Sequence, residues 1–102
     1  MDLHTVRFAD NDDEPWGCCV NFDNHWSEWK ITKMLKGQQA HRRGVDMGWR
    51  VRRVNNLEVS PYTYKEVKRI LERGHECTIT FETVKLFQKY RPPFIFSFCE
   101  KI

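Results

Sequence analysis

No stretch of the 102 residues approaches eighteen consecutive apolar positions, so a membrane-spanning helix is not expected. The start, Met1-Asp2-Leu3-His4-Thr5-Val6, lacks a basic region leading into an apolar run, so neither is a secretory leader. No Cys-x-x-Cys occurs among the four cysteines, and Cys18 and Cys19 are adjacent. Reduced thiols in a cytoplasmic setting are the expectation. Gly and Pro number only five and four, beside 40% hydrophobic and 14% aromatic residues, which excludes a disordered chain. His4, His25, His41 and His75 are scattered, none at zinc-ligand spacing, so no metal or cofactor is expected. There is no Gly-rich phosphate loop, no Ser elbow and no pair of catalytic carboxylates. Cys18, Cys77 and Cys99 have no recognisable His-plus-carboxylate partners, so the expectation is a non-catalytic protein without catalytic residues.

What is present is enough apolar material for one ordinary domain with one core. The net charge of +3 conceals an asymmetry. Residues 1–15 carry Asp2, Asp10, Asp12, Asp13 and Glu14 against Arg7 alone. Residues 30–53 carry Lys30, Lys33, Lys36, Arg42, Arg43, Arg50, Arg52 and Arg53 against Asp46 alone. Such a basic stretch could steer phosphoinositide membrane surfaces, nucleic acid or acidic peptides toward the protein, or it could simply be solvated.

Periodicity gives the order of elements. Leu3, Val6 and Phe8 mark a short strand ending near Ala9, followed by a polar turn. Residues 18–22 and 29–35 read as a hairpin around Asp23-Asn24-His25, and residues 38–44 as a short helical turn closed by Gly44. Residues 49–54 and 57–59 form a strand pair about Asn55-Asn56, which tolerates positive φ. Ser60 and Thr63 are candidate caps for a helix running to Arg73, with Gly74 at its end. Tyr64, Val67, Lys68, Ile70 and Leu71 share one face of that helix. From His75 to Thr83, alternation places Cys77, Ile79 and Phe81 on one side of a last strand. The expected class is α+β: a small, partly open antiparallel β-barrel or sandwich of five to six strands capped by two helices. An extra C-terminal segment, residues 84–102, contains Pro92-Pro93 and the apolar run 94–98, expected to pack on the domain 1–83 or on a neighbour.

Gly44-Val45-Asp46-Met47-Gly48-Trp49-Arg50-Val51, followed by Val54-Asn55-Asn56 and Val59, resembles the PDZ domain, whose usual pattern there is Gly-Leu-x-x-Gly-Asp-x-Ile-x-x-Val-Asn-Gly. The resemblance covers roughly residues 3–83. It implies a peptide-binding scaffold module that takes the C-terminus or an internal segment of a partner protein by β-strand addition, between the second strand and the second helix. The family's Gly-Leu-Gly-Phe-type loop would fall on Pro15-Trp16-Gly17-Cys18. The implied peptide-binding residues are Trp16, Gly17, Cys18, Cys19, Val20, Tyr64, Lys68 and Leu71. Of these, Trp16, Cys18, Val20 and Leu71 would shape the pocket for the ligand's last side chain. Tyr64 would be the specificity position, favouring with Lys68 an acidic residue two before an apolar end.

Three departures from the family pattern stand out. Trp49 replaces the usual Asp, Asn56 replaces the usual Gly, and Asp10, Asp12, Asp13 and Glu14 precede the loop, where they would oppose an anionic terminus. The chain's own ending, Glu100-Lys101-Ile102, fits the expected ligand type, so self-association through the tail is one expectation and a structural assembly role another. Trp16, Trp26, Trp29 and Trp49 are expected as core or rim aromatics, Trp16 also beside the loop.

Overall fold

The structure, a computed structural model, describes residues 2–83. The elements run β1 (Leu3–Phe8), β2 (Cys18–Asp23), β3 (Glu28–Met34), α1 (Gln39–Arg42), β4 (Arg50–Val54), β5 (Leu57–Glu58), a 3-10 turn (Pro61–Thr63), α2 (Tyr64–Arg73) and β6 (Cys77–Glu82). The strands form one open, six-stranded antiparallel sheet in the order β1-β6-β4-β3-β2, with β5 paired to β4. This is the expected α+β class with two helices. The expectations placed on residues 84–102, including packing of the aromatic run and self-recognition by the tail, lie outside the described residues.

The core follows from alternation. Cys77, Ile79 and Phe81 of β6 point inward with Val6 and Phe8 of β1, Val51 and Val54 of β4, and Ile31 of β3. Val67 is fully buried at the centre of the α2 face, while Tyr64, Ile70 and Leu71 pack half-buried around it. Each fully buried side chain of this size contributes about 1.5–3 kcal/mol by leaving water. Glu82 breaks the alternation: it is buried on the β6 edge of the core and forms an ion pair with Arg52.

The two candidate caps of the second helix act together on the 3-10 turn that precedes it, and neither side chain caps the α-helix itself. Ser60 Oγ accepts the Tyr62 N–H at 3.2 Å and Thr63 Oγ1 accepts the Ser60 N–H at 2.9 Å, opening the 3-10 turn. The α-helix proper starts one residue later, at Tyr64, and Gly74 ends it with φ +67°.

Trp26 departs from expectation. It lies in the β2–β3 turn, 62% exposed, beside His25 with ring centroids 4.8 Å apart. Trp16 and Trp29 are buried, and Trp49 packs on Phe81 at 5.8 Å, so the other three indoles do serve the core or its margin.

Candidate functional site

β2 is an edge strand: β3 pairs with one side of it, and no strand among the described residues pairs with the other. The register slips between Cys19/Val20 and Lys33/Ile31, so Thr32 is the extra residue and the bulge belongs to β3. β2 itself stays regular, and Cys18, Val20 and Phe22 fall on one face. That face turns toward α2 across a groove of about 530 Å³, bordered by Asn11, Val20, Phe22, Tyr64, Leu71 and Glu72 among others.

Seven of the eight residues singled out from the sequence border this groove: Trp16, Cys18, Cys19, Val20, Tyr64, Lys68 and Leu71. Gly17, the eighth, is buried in the loop that closes one end. Cys19 turns to the opposite face of the strand by alternation and is buried outside the main core cluster. Trp16 is more deeply engaged than a ligand contact requires. It is 6% exposed, packs on Phe8 at 5.1 Å, and donates its indole N–H to the Ala9 carbonyl at 2.7 Å.

Backbone bonds fix the closing loop. The Ala40 N–H donates to Trp16 O at 2.8 Å, and the Leu35 N–H to Gly17 O at 2.8 Å. Gly17 has φ +75°, and a Cβ there would stand 2.0 Å from Gln38 Cβ, so only glycine fits. Gln39, fully buried, holds the preceding turn. Its Oε1 accepts the Ala9 N–H at 2.8 Å, and its amide donates to Glu14 O. Asn11 ties the turn to both sides of the groove. Its own N–H donates to Gly74 O at 2.7 Å, and its Oδ1 accepts the Trp16 N–H at 2.9 Å.

Sequence reasoning missed Gln39 and Asn11. Gln39 sits in a polar run that reads as a solvated helix start, and Asn11 in a turn where Asn is the ordinary choice. Neither carries a motif signal, because their partners are backbone atoms distant in the chain.

An aromatic trio forms the opposite end of the groove. Phe22 meets Tyr64 at 4.9 Å, and Trp29 stacks on Tyr64 at 5.6 Å with planes 22° apart. Lys68 pairs with Glu72 one turn on, at 3.4 Å, and both are well exposed.

Charge is largely paired away from the groove. Lys30 pairs with Asp23 at 3.4 Å, and Arg50 Nε lies 3.2 Å from Glu28 Oε2 in an ion pair whose geometry falls short of a hydrogen bond. Arg52 pairs with Glu82, and Arg42 with Glu14. Half of the basic stretch 30–53 is thus tied to carboxylates, and its members are spread over β3, α1, β4 and their loops. In the acidic turn, the Asp12 N–H donated to Asp10 holds that carboxyl below its ordinary value, helped against desolvation by His75 at 3.3 Å. Among the described residues no group of three His, Cys, Asp or Glu side chains is placed to hold a metal ion.

An edge strand facing a helix across a groove, closed by a glycine loop, defines a PDZ-like fold. Among solved structures the chain is similar to that of INAD PDZ3 in complex with a TRP channel tail, with a TM-score of 0.64 and 22% sequence identity, covering 80% of this chain and 87% of that one. At this identity the likeness is one of fold. No family model matches the sequence, and comparison with curated proteins finds no match.

Proposed function

We propose that the protein is a non-catalytic peptide-binding module that receives an extended segment of a partner protein as an additional strand on β2, under α2. The observation that carries this reading is the place of β2 at the edge of the sheet formed by the described strands, with its Cys18, Val20 and Phe22 face turned to Tyr64 and Leu71 across the groove. A strand added at a sheet edge gains affinity from main-chain hydrogen bonds, and the side chains opposite select its sequence. An apolar ligand side chain fits between Cys18, Val20 and Leu71. Two positions earlier, an acidic side chain faces Tyr64 and Lys68. It would exchange with Glu72 for the Lys68 ammonium, an exposed pair worth only about 0.3–0.5 kcal/mol. The similar INAD domain, solved with a channel tail, supports a peptide as the partner class.

The test is selection of random peptides on the full 102-residue protein, followed by Leu71→Glu, with a thermal melt confirming that the variant folds. Enrichment of a motif whose binding L71E abolishes is the expected result. Failure to enrich any motif, or undiminished binding by the folded variant, would remove the groove as the working surface.

A further inference from the structure

A free carboxylate at the end of a bound strand needs backbone N–H donors and a neutral or positive surround. At the closed end of this groove one such donor is taken and unpaired carboxylates stand nearby. Of the loop Pro15-Trp16-Gly17-Cys18, Pro15 has no N–H, and the Trp16 N–H is already donated to Asn11 Oδ1 at 2.9 Å. Asn11 is itself anchored to the end of α2 through Gly74 O at 2.7 Å, and Gly74 leaves no space behind it, since a Cβ there would lie 2.9 Å from Asn11 Cβ. The turn that carries Asn11 folds its amides inward: Asp13 and Glu14 N–H both donate to Asp10 O at 3.0 Å, and Asp12 N–H to Asp10 Oδ1 at 2.9 Å.

The basic side chains nearby already have acidic partners. His75 lies against Asp10, Arg42 pairs with Glu14, and Lys68 with Glu72. Asp12 and Asp13 are exposed and enter no ion pair among the described residues. These two carboxylates oppose an anionic terminus at this end.

We infer that the groove takes an internal strand of a partner protein rather than a free C-terminus. The apolar residue between Cys18, Val20 and Leu71 is followed by chain that continues past Asn11, bearing Lys or Arg where it passes Asp12 and Asp13. The side-chain carbonyl of Asn11 holds the place a terminal carboxylate would need, and a continuing backbone with basic side chains meets the charge that repels such a terminus. This rests on the groove being the binding surface.

One randomised segment, displayed on phage once with a free C-terminus and once tethered at both ends, is selected on the full chain. The best sequence is then synthesised as the free acid, as the amide, and extended by Lys-Lys. Enrichment in the doubly tethered format is expected, with the extended peptide binding at least about fivefold tighter than the acid and the gap narrowing as salt is added. In N11A, which frees the Trp16 N–H, the acid is expected to gain on the amide. Acid binding as tight as amide or extended peptide overturns the inference while leaving the groove reading intact. Enrichment in neither format overturns both. An N11A variant that shifts acid and amide equally removes Asn11 from the selection.

Discussion

Phe22 of β2 and Tyr64 of α2 meet edge to face across the groove, their ring centroids 4.9 Å apart and their planes inclined by 73°. The pair links the edge strand to the helix that covers it, and Trp29 completes the trio, stacking on Tyr64 and meeting Phe22 at 5.2 Å. A double-mutant cycle with F22A and Y64A, followed by urea denaturation, is expected to give a coupling of about 0.5–1.5 kcal/mol. Simple additivity would mean that the rings do not support one another.

Gly17→Ala adds a Cβ 2.0 Å from Gln38 Cβ at a backbone φ of +75°. Gly37→Ala is the control, with φ +86° but nothing within 4 Å. The control is expected to lose only the left-handed penalty, about 1–2 kcal/mol. G17A is expected to lose more, lowering Tm by at least ~8 °C, and to lose peptide binding because the closing loop must move. Equal melting temperatures for the two variants would show that the loop tolerates the clash.

Gln39→Leu keeps the volume but strips partners from the Ala9 N–H and the Glu14 carbonyl. Leaving such groups buried and unpaired costs about 1–3 kcal/mol each. A loss of about 2–6 kcal/mol over the two groups is expected in urea denaturation, together with faster hydrogen exchange at the Ala9 amide. Unchanged exchange at Ala9 would mean that the bond to Gln39 does not protect it.

Burial pushes the Cys77 thiol from 9.0 up to about 11. The folded protein then holds this proton more tightly than the unfolded chain. Its contribution to stability is complete below pH 9 and is lost as pH rises through about 11. The stability difference between the wild type and C77A is therefore expected to shrink from pH 8.5 to pH 10.5, measured by denaturant unfolding under reducing conditions. A difference constant over that range would contradict the shift.

Much of the fold was legible because its elements carry local signals. The alternation of Cys77, Ile79 and Phe81, the face of Val67, Ile70 and Leu71, and Gly74 at the helix end each depend on neighbours in sequence. The groove residues could be named only through resemblance to a family with the same order of elements. What escaped reading depends on long-range backbone partners: Asn11 against Trp16 and Gly74, and Gln39 against Ala9 and Glu14. The basic stretch misleads for a similar reason. A run of Lys and Arg along the chain says nothing of the acids that Asp23, Glu28 and Glu82 bring to it in space.

β1 pairs with β6 from Leu3 against Glu82 to Phe8 against Cys77, and the Thr83 N–H donates to Asp2 O at 3.0 Å. The two ends of the sheet's own chain are therefore stitched side by side. On a ribosome, β1 emerges first yet has no partner until β6 follows, whereas the β2–β3 hairpin can close as soon as its short turn is made. The β2–β3 hairpin can thus assemble early, whereas the β1–β6 seam must wait for β6. That seam closes the longest loop between paired strands among the described residues, so its formation carries the largest closure entropy of any pairing in the sheet.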